Sequence, residues 1–415
     1  MTDDLSPAAD ARPADPLERT AAPGPGDPFE VLWAFLRLGM TSFGGPVAHL
    51  GYFRAEFVQR RRWLDEGSYA DLVALCQFLP GPTSSQVGIA LGLRRAGWPG
   101  ALLAWLGFTL PSALLLIAFA YGIAHYAGLA ASGAVHGLKV VAVAVVAQAV
   151  WGMARTLCPD RPRAGLATLA ALATLALPAA PGQIGAILAC GLLGRLLLKP
   201  PREPALPHAG YGISRRAGAA AFLLFAALLL GLPLLAGATG SPLWALVDGF
   251  FRAGSLVFGG GHVMLPLLQA AVVPAGAVDN AVFLAGYGAA QAVPGPLTAF
   301  AAFLGTAMHG PLSGWQGGLA FLAVIFLPSF LLVAGALPFW EALRRRDGIR
   351  SALAGVNAGV VGILLSALYD PVWTSAILDR TDFGLGLAAF GLLAYARVSP
   401  VWVVAFGAAA GWLLG

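Results

Sequence analysis

The amino-acid sequence predicts an all-α polytopic membrane protein of two inverted homologous halves, six helices each, joined by one central helix. That makes about thirteen transmembrane helices, or ten to thirteen if the short final pairs are miscounted. Three observations predict it. The 415 residues are 58% hydrophobic and only 11% charged, with a mean hydropathy of +0.76, far too little charge to cover a soluble surface of that size. Apolar stretches of about 20 residues recur from Phe29 to the C-terminus with no strand-like alternation, so the spans are helical. Finally, one set of motifs occurs twice. Phe35-x-Arg37-x-Gly39-x-x-x-Phe43-Gly44-Gly45-Pro46 returns as Phe250-x-Arg252-x-Gly254-x-x-x-Phe258-Gly259-Gly260-Gly261, an offset of 215 (252 minus 37). Gln77-x-x-Pro80-Gly81-Pro82 returns as Gln291-x-x-Pro294-Gly295-Pro296, an offset of 214 (291 minus 77). Pro111-Ser112 against Pro328-Ser329, and Gly137-Leu138-Lys139 against Gly355-Val356-Asn357, continue the match.

Residues 1–28, rich in Ala, Pro and Asp, read as a disordered tail and not as a cleavable signal, since no apolar run follows a basic start. The first repeat covers 29–199, with spans near 29–53, 70–93, 99–126, 133–154, 164–180 and 183–199. A polar loop from Pro200 to Arg216 and a linking helix from Ala217 to Ala236 occupy 200–242. The second repeat covers 243–415, with spans near 243–268, 280–308, 315–340, 350–370, 382–396 and 400–414. Six spans return the chain to its starting side and the linking helix carries it across once more, so the second repeat is expected upside down relative to the first.

Loop charges set the orientation. With a cytoplasmic N-terminus, Arg94, Arg95, Arg155, Arg161, Arg163, Lys199, Arg202, Arg215, Arg216, Arg344 to Arg346, Arg350 and Arg397 all face the cytoplasm. Arg54 and Arg60 to Arg62 disagree, unless their loop dips back or one of the first two segments does not cross. The excess of Arg over Lys, with abundant Ala and Gly, points to a GC-rich bacterial genome and an inner (plasma) membrane. Cys76, Cys158 and Cys190 are widely spaced and form no metal or disulfide framework.

Charge inside an apolar span marks function by default, because it costs about 2.5–3.5 kcal/mol at mid-depth without a cavity or partner. Arg37 and Arg252 recur at one motif position, the plain alternative being snorkelling or pairing with Glu30 or Asp248. Lys139, one of only two lysines, is flanked by apolar sequence and has Asn357 as its counterpart, so symmetry breaks at a charge. The Gly44-Gly45-Pro46, Gly259-Gly260, Pro80-Gly81-Pro82 and Pro294-Gly295-Pro296 runs interrupt four spans. Such breaks are tolerated at depth only inside protein or beside a wet cavity, and the freed amides bind anions readily. For a single break a kink is the simpler reading, but symmetric pairs point to a transporter site. Gln77, Ser84, Gln291 and Thr298 add neutral hydrogen-bonding groups, which in membrane bundles also serve as interhelical contacts. His49 and His262 are out of register by one position.

No phosphate-binding Gly-x-x-x-x-Gly-Lys-Ser/Thr loop and no zinc-ligand spacing occurs in the sequence, so no enzymatic activity, cofactor or metal is expected, and nothing suggests nucleic-acid binding. The doubled Phe-Gly-Gly-Pro/Gly and Gln-x-x-Pro-Gly-Pro motifs resemble the chromate ion transporter (CHR) superfamily in its long, two-domain form, over almost the whole chain beyond the tail. The resemblance implies secondary active export of chromate and chromate resistance, driven by membrane potential or proton gradient, with sulfate as competitor. It carries site roles to Arg37, Gly44, Gly45, Pro46, Gln77, Pro80, Gly81 and Pro82, and to Arg252, Gly259, Gly260, Gln291, Pro294, Gly295 and Pro296. Gly261 in place of a second Pro46, and Asn357 in place of a second Lys139, depart from symmetry. An inward sulfate or other oxyanion permease is a second expectation and a non-transporting membrane scaffold a third. The expected partners are a chromate- or sulfate-like oxyanion and the lipid bilayer, and a homodimer is compatible with such an architecture.

Overall fold

The computed structural model describes residues 26–43, 45–125, 133–177, 180–199, 213–257, 263–310, 312–340 and 346–414. The tail through residue 25, the loop at 200–212, Gly44, residues 258–262 with Gly259 and Gly260, and Arg344 and Arg345 therefore lie outside the described residues. Everything with regular structure among the described residues is helical. Five helices are by length and composition able to cross a membrane, and shorter apolar helices accompany them.

The four glycine- and proline-broken segments are not continuous spans. Segment 29–53 folds as α1 (Pro28–Thr41) and α2 (Gly45–Phe53), the latter running into a π turn at Arg54–Arg60. Segment 70–93 folds as α3 (Glu66–Phe78) and the start of α4 (Thr83–His125), which breaks at Ala96 and Gly97 before continuing. Both pairs are hairpins, because their outer ends meet in one ion network. Glu30 takes Arg61 at 3.0 Å and Arg95 at 2.9 Å, while Arg54 pairs with Glu66 at 2.8 Å. Arg61 and Arg95 also lie over the Trp63 ring. A 14-residue helix rises about 21 Å, less than the roughly 30 Å thickness of a hydrocarbon core. The basic loop at Arg54 to Arg62 thus lies at the same end of the hairpin as the start of α1, where Arg61 meets Glu30.

The first half continues through α5 (Gly133–Leu157), α6 (Arg161–Ala176) and α7 (Ala180–Leu197), and α8 (Arg215–Thr239) links the halves. The second half repeats the pattern. Helices α9 (Pro242–Ser255) and α10 (Met264–Val272) form one pair, α11 (Asn280–Ala290) and α12 (Phe300–Ala307) the next. Then come α13 (Gly314–Ala336), α14 (Asp347–Ala367), α15 (Arg380–Ala394) and α16 (Pro400–Leu414). Local chemistry sets several of the starts. Asp27, Asp65, Asp160 and Ser214 each accept a first-turn backbone N–H, which satisfies a donor that the helix leaves unpaired.

The doubled Phe-x-Arg-x-Gly motif has a packing explanation. Phe35 is fully buried and stacks on Phe57 at 4.8 Å, and its counterpart Phe250 packs on Phe321 at 4.6 Å. Gly39 lies so close to α4 that a Cβ would stand 2.5 Å from the Gly107 carbonyl oxygen and 2.8 Å from that of Phe108. Two residues along a helix turn about 200°, so a buried Phe35 sends Arg37 to the opposite, exposed face.

Candidate functional site

The broken tips of the two halves hydrogen-bond to one another. The Gly81 amide donates to the Val257 carbonyl at 2.5 Å, and the Gly295 amide donates to the Ser42 carbonyl at 2.9 Å. Val257 follows Ser42 by 215 and Gly295 follows Gly81 by 214, so each Pro-Gly-Pro turn binds the residue preceding the other half's Phe-Gly-Gly run. The exchange extends to side chains: a Cβ on Gly81 would lie 3.3 Å from Ser329 Oγ, and one on Gly295 would lie 2.8 Å from Ser112 Oγ. Both glycines hold positive φ, 126° and 94°, which a side chain would strain.

Beside these tips lies a cavity of about 90 Å³ walled by Gly45, Pro46, Gln148, Gln291 and Gly295. Water in bulk takes about 30 Å³ per molecule, so the space fits a small tetrahedral anion. A wider chamber of about 380 Å³ shares Gln148 and Pro400 with it and adds Phe43, Tyr52 and Arg397. Among the described residues, no Asp or Glu lines either space. The lining offers several donors. Gln291 Nε2 is buried with no acceptor among the described residues, Gln148 Nε2 makes a 3.3 Å bond to the Leu393 carbonyl, and Arg397 supplies the charge. Arg397 holds φ 53°, an unusual conformation for a non-glycine, in the turn between α15 and α16. Gly45 and Pro46 open α2, whose free N-terminal amides and dipole favour negative charge.

Other residues singled out by sequence fall elsewhere. Pro80 accepts from Gln86 Nε2 at 2.6 Å, which closes its turn, and Pro82, Pro294 and Pro296 shape the tips. Ser84 meets buried His49 at 3.3 Å, joining the two first-half hairpins; its counterpart Thr298 is buried in a 3₁₀ turn. Gln77 is exposed on α3. Arg37 is exposed on the outer face of α1, and Arg252 is held by Asp248 at 2.7 Å. Lys139 is half-buried on α5, about 9 Å of helix rise before Val145 at the cavity. One turn before it His136 pairs with Asp382 at 2.7 Å. Asn357 lies on α14 with its Oδ1 buried and unpartnered. Neither arginine, nor Lys139, nor Asn357 lines the two spaces.

Sequence reasoning missed Gln148 and Arg397. Gln148 was findable as a lone polar residue in the apolar run from Val140 to Val150. Arg397 was read only as a loop charge, and nothing local in the sequence aims it at a cavity.

A family model described as chromate transporter matches residues 29–195 and 244–412. The chain is 31% identical to the chromate transport protein of Pseudomonas aeruginosa over 97% of each chain. It is 28% identical to the probable chromate transport protein of Synechococcus elongatus, over 86% of this chain and 87% of the relative. Identity to the chromate transport protein of Cupriavidus metallidurans is 25%, over 92% of each. No solved structure matches the chain.

Proposed function

From the premise that the chain belongs to the chromate transporter family, we propose that it exports chromate, a tetrahedral dianion, from the bacterial cytoplasm through the donor-lined cavity at the crossed tips. The observation that carries this reading is the buried, unpartnered Gln291 Nε2 beside a cavity that, among the described residues, no carboxylate lines. A buried donor without an acceptor is costly, and a bound oxyanion would satisfy it. Arg397 draws the anion into the wider chamber, Gln148 and Gln291 receive it, and the α2 amides share the charge. Gly81 and Gly295 act as the hinge points whose bonds across the halves exchange as the site changes sides. A dianion leaving a negative interior gains about 4.6 kcal/mol per 100 mV, from about 2.3 per charge, so no coupled ion is required.

The proposed topology is an inverted repeat. Each half contributes two hairpins and four through-going helices, beginning with the second part of α4 or with α13, and α8 crosses once between them. The even number in each half preserves the inversion expected from sequence. Nine crossings replace thirteen because four spans are hairpins. The N-terminus faces the cytoplasm, where Arg60 to Arg62 now join Arg94, Arg95, Arg155 and Arg397 in agreement with the positive-inside rule.

In a cysteine-free background, Arg60→Cys will react with a membrane-impermeant maleimide only in everted vesicles, and Ala275→Cys only in intact cells. Labelling of both from one side would refute the inversion. Transport is tested by chromate uptake into everted vesicles, with sulfate as competitor and an ionophore to collapse the potential. Arg397→Gln should raise the KM for chromate by about 3- to 10-fold and flatten its salt dependence, with kcat little changed. Absence of potential-dependent chromate accumulation by the unaltered protein would overturn export.

A further inference from the structure

A second chamber, of about 350 Å³, opens near the loop between α10 and α11, and its chemistry is the reverse of the first. Ser366 on its wall follows Gln148 by 218, the same offset that relates Asn357 to Lys139 (357 minus 139), so the two chambers are counterparts in the repeat. The first carries Arg397; this one carries Asp370 and, among the described residues, is lined by no Lys, Arg or His.

Its lining offers several acceptors without a donor among the described residues. Gln269 donates through Nε2 to Asn280 Oδ1 at 2.5 Å, and Asn280 passes its own N–H to Ser375 Oγ at 2.9 Å. That chain leaves Gln269 Oε1 buried without a donor, on a residue only 6% exposed. Gln183, 7% exposed, likewise has an unpartnered buried Oε1. Thr174 and Ser366 bond to each other at 2.8 Å, and Ser366 also reaches the Ile363 carbonyl at 3.1 Å. With both hydroxyl protons spent in that relay, the hydroxyls offer the chamber lone pairs. Two amide oxygens, two hydroxyl oxygens and one carboxylate make a hard, all-oxygen set with a single negative charge.

We propose that this chamber binds a small monovalent metal cation, Na⁺ or K⁺, between Gln183, Gln269 and Asp370. The single carboxylate matches one positive charge, and the volume leaves room for water to complete the coordination shell. On the N-in topology the chamber lies on the periplasmic side, opposite the Arg397 chamber. The cation site stands on its own geometry and does not depend on the identity of the transported anion.

The test uses the purified full-length protein in detergent, with thermal unfolding followed in NaCl, KCl and choline chloride at equal ionic strength. The expected result is a saturable rise in Tm with Na⁺ or K⁺ that choline does not reproduce. Asp370→Asn and Gln269→Leu should each shift the half-saturating cation concentration upward by at least about 10-fold. Gln183→Leu, remote in sequence from both, covers the case in which either of those variants fails to fold. An equal response to choline, or a metal response that survives all three substitutions, would overturn the proposal. Chromate titration of the same samples by calorimetry separates the two sites. Loss of chromate binding with the cation response intact counts against the anion reading alone.

Discussion

Replacing Gln291 with leucine will cut chromate transport about 10- to 100-fold and at the same time leave the protein as stable as before, or more so. The two effects have opposite signs because of where the amide sits. Gln291 Nε2 is buried beside the small cavity with no acceptor among the described residues. In the empty protein that donor is a liability, and an apolar side chain of similar size removes its desolvation penalty, about 1–3 kcal/mol. With a dianion bound, the same N–H makes a charge-assisted hydrogen bond of about 1.5–3 kcal/mol, which leucine cannot replace. The measurements are initial rates of chromate uptake in everted vesicles and Tm of the purified protein. A variant that transports normally, or one that merely unfolds earlier, removes Gln291 from the site. Gln291→Asn, which keeps the amide but shortens its reach, should retain part of the rate.

The second large effect is expected at Gly295. Alanine there must hold φ near 94°, where a Cβ costs about 1–3 kcal/mol, and that Cβ would lie 2.8 Å from Ser112 Oγ and 3.0 Å from the Phe108 carbonyl oxygen. Relief of either contact pulls the Gly295 amide from Ser42 and loosens the grip between the halves. Gly295→Ala should therefore lower stability by about 2–4 kcal/mol and abolish uptake even where protein reaches the membrane. Adding Ser112→Gly will recover part of the stability by removing the nearest clash, but not the conformational cost. Unchanged Tm and uptake in Gly295→Ala would mean that the crossed turns are passive. The symmetry makes a further demand. Gly81, with φ 126° and Ser329 as its neighbour across the halves, should respond in the same direction.

Much of this architecture was legible in advance because lipid imposes severe constraints. Composition excluded a soluble chain, the doubled motifs located both halves, and the paired glycine and proline breaks marked the broken tips. The motif arginines misled for a reason the sequence contained. Phe35 and Phe250 are core residues, and a side chain two positions along a helix points away from what they pack against. Treating Arg37 as a charge at depth ignored that phase. Its counterpart Arg252 is neutralised one turn back by Asp248, the pairing weighed as the plain alternative. Lys139 is a genuine break in symmetry, but it lies nine residues before Gln148 on α5, about 13.5 Å of rise and half a turn around the helix away.

By itself the sequence determined the class, the duplication and the positions at which helices break, since these depend on hydropathy, on repeated residues and on the backbone limits of Pro and Gly. Only the tertiary structure decided that the broken segments turn back as hairpins, a choice made by ion pairs such as Glu30 with Arg61 and Arg95 between residues far apart in the chain. It likewise decided which polar groups meet. Gln148, Gln291 and Arg397 come from three separate elements, and Gln183, Gln269 and Asp370 from three others, so neither chamber exists until the helices pack. Hydropathy is a sum over neighbours along the chain, whereas a binding site is a coincidence in space.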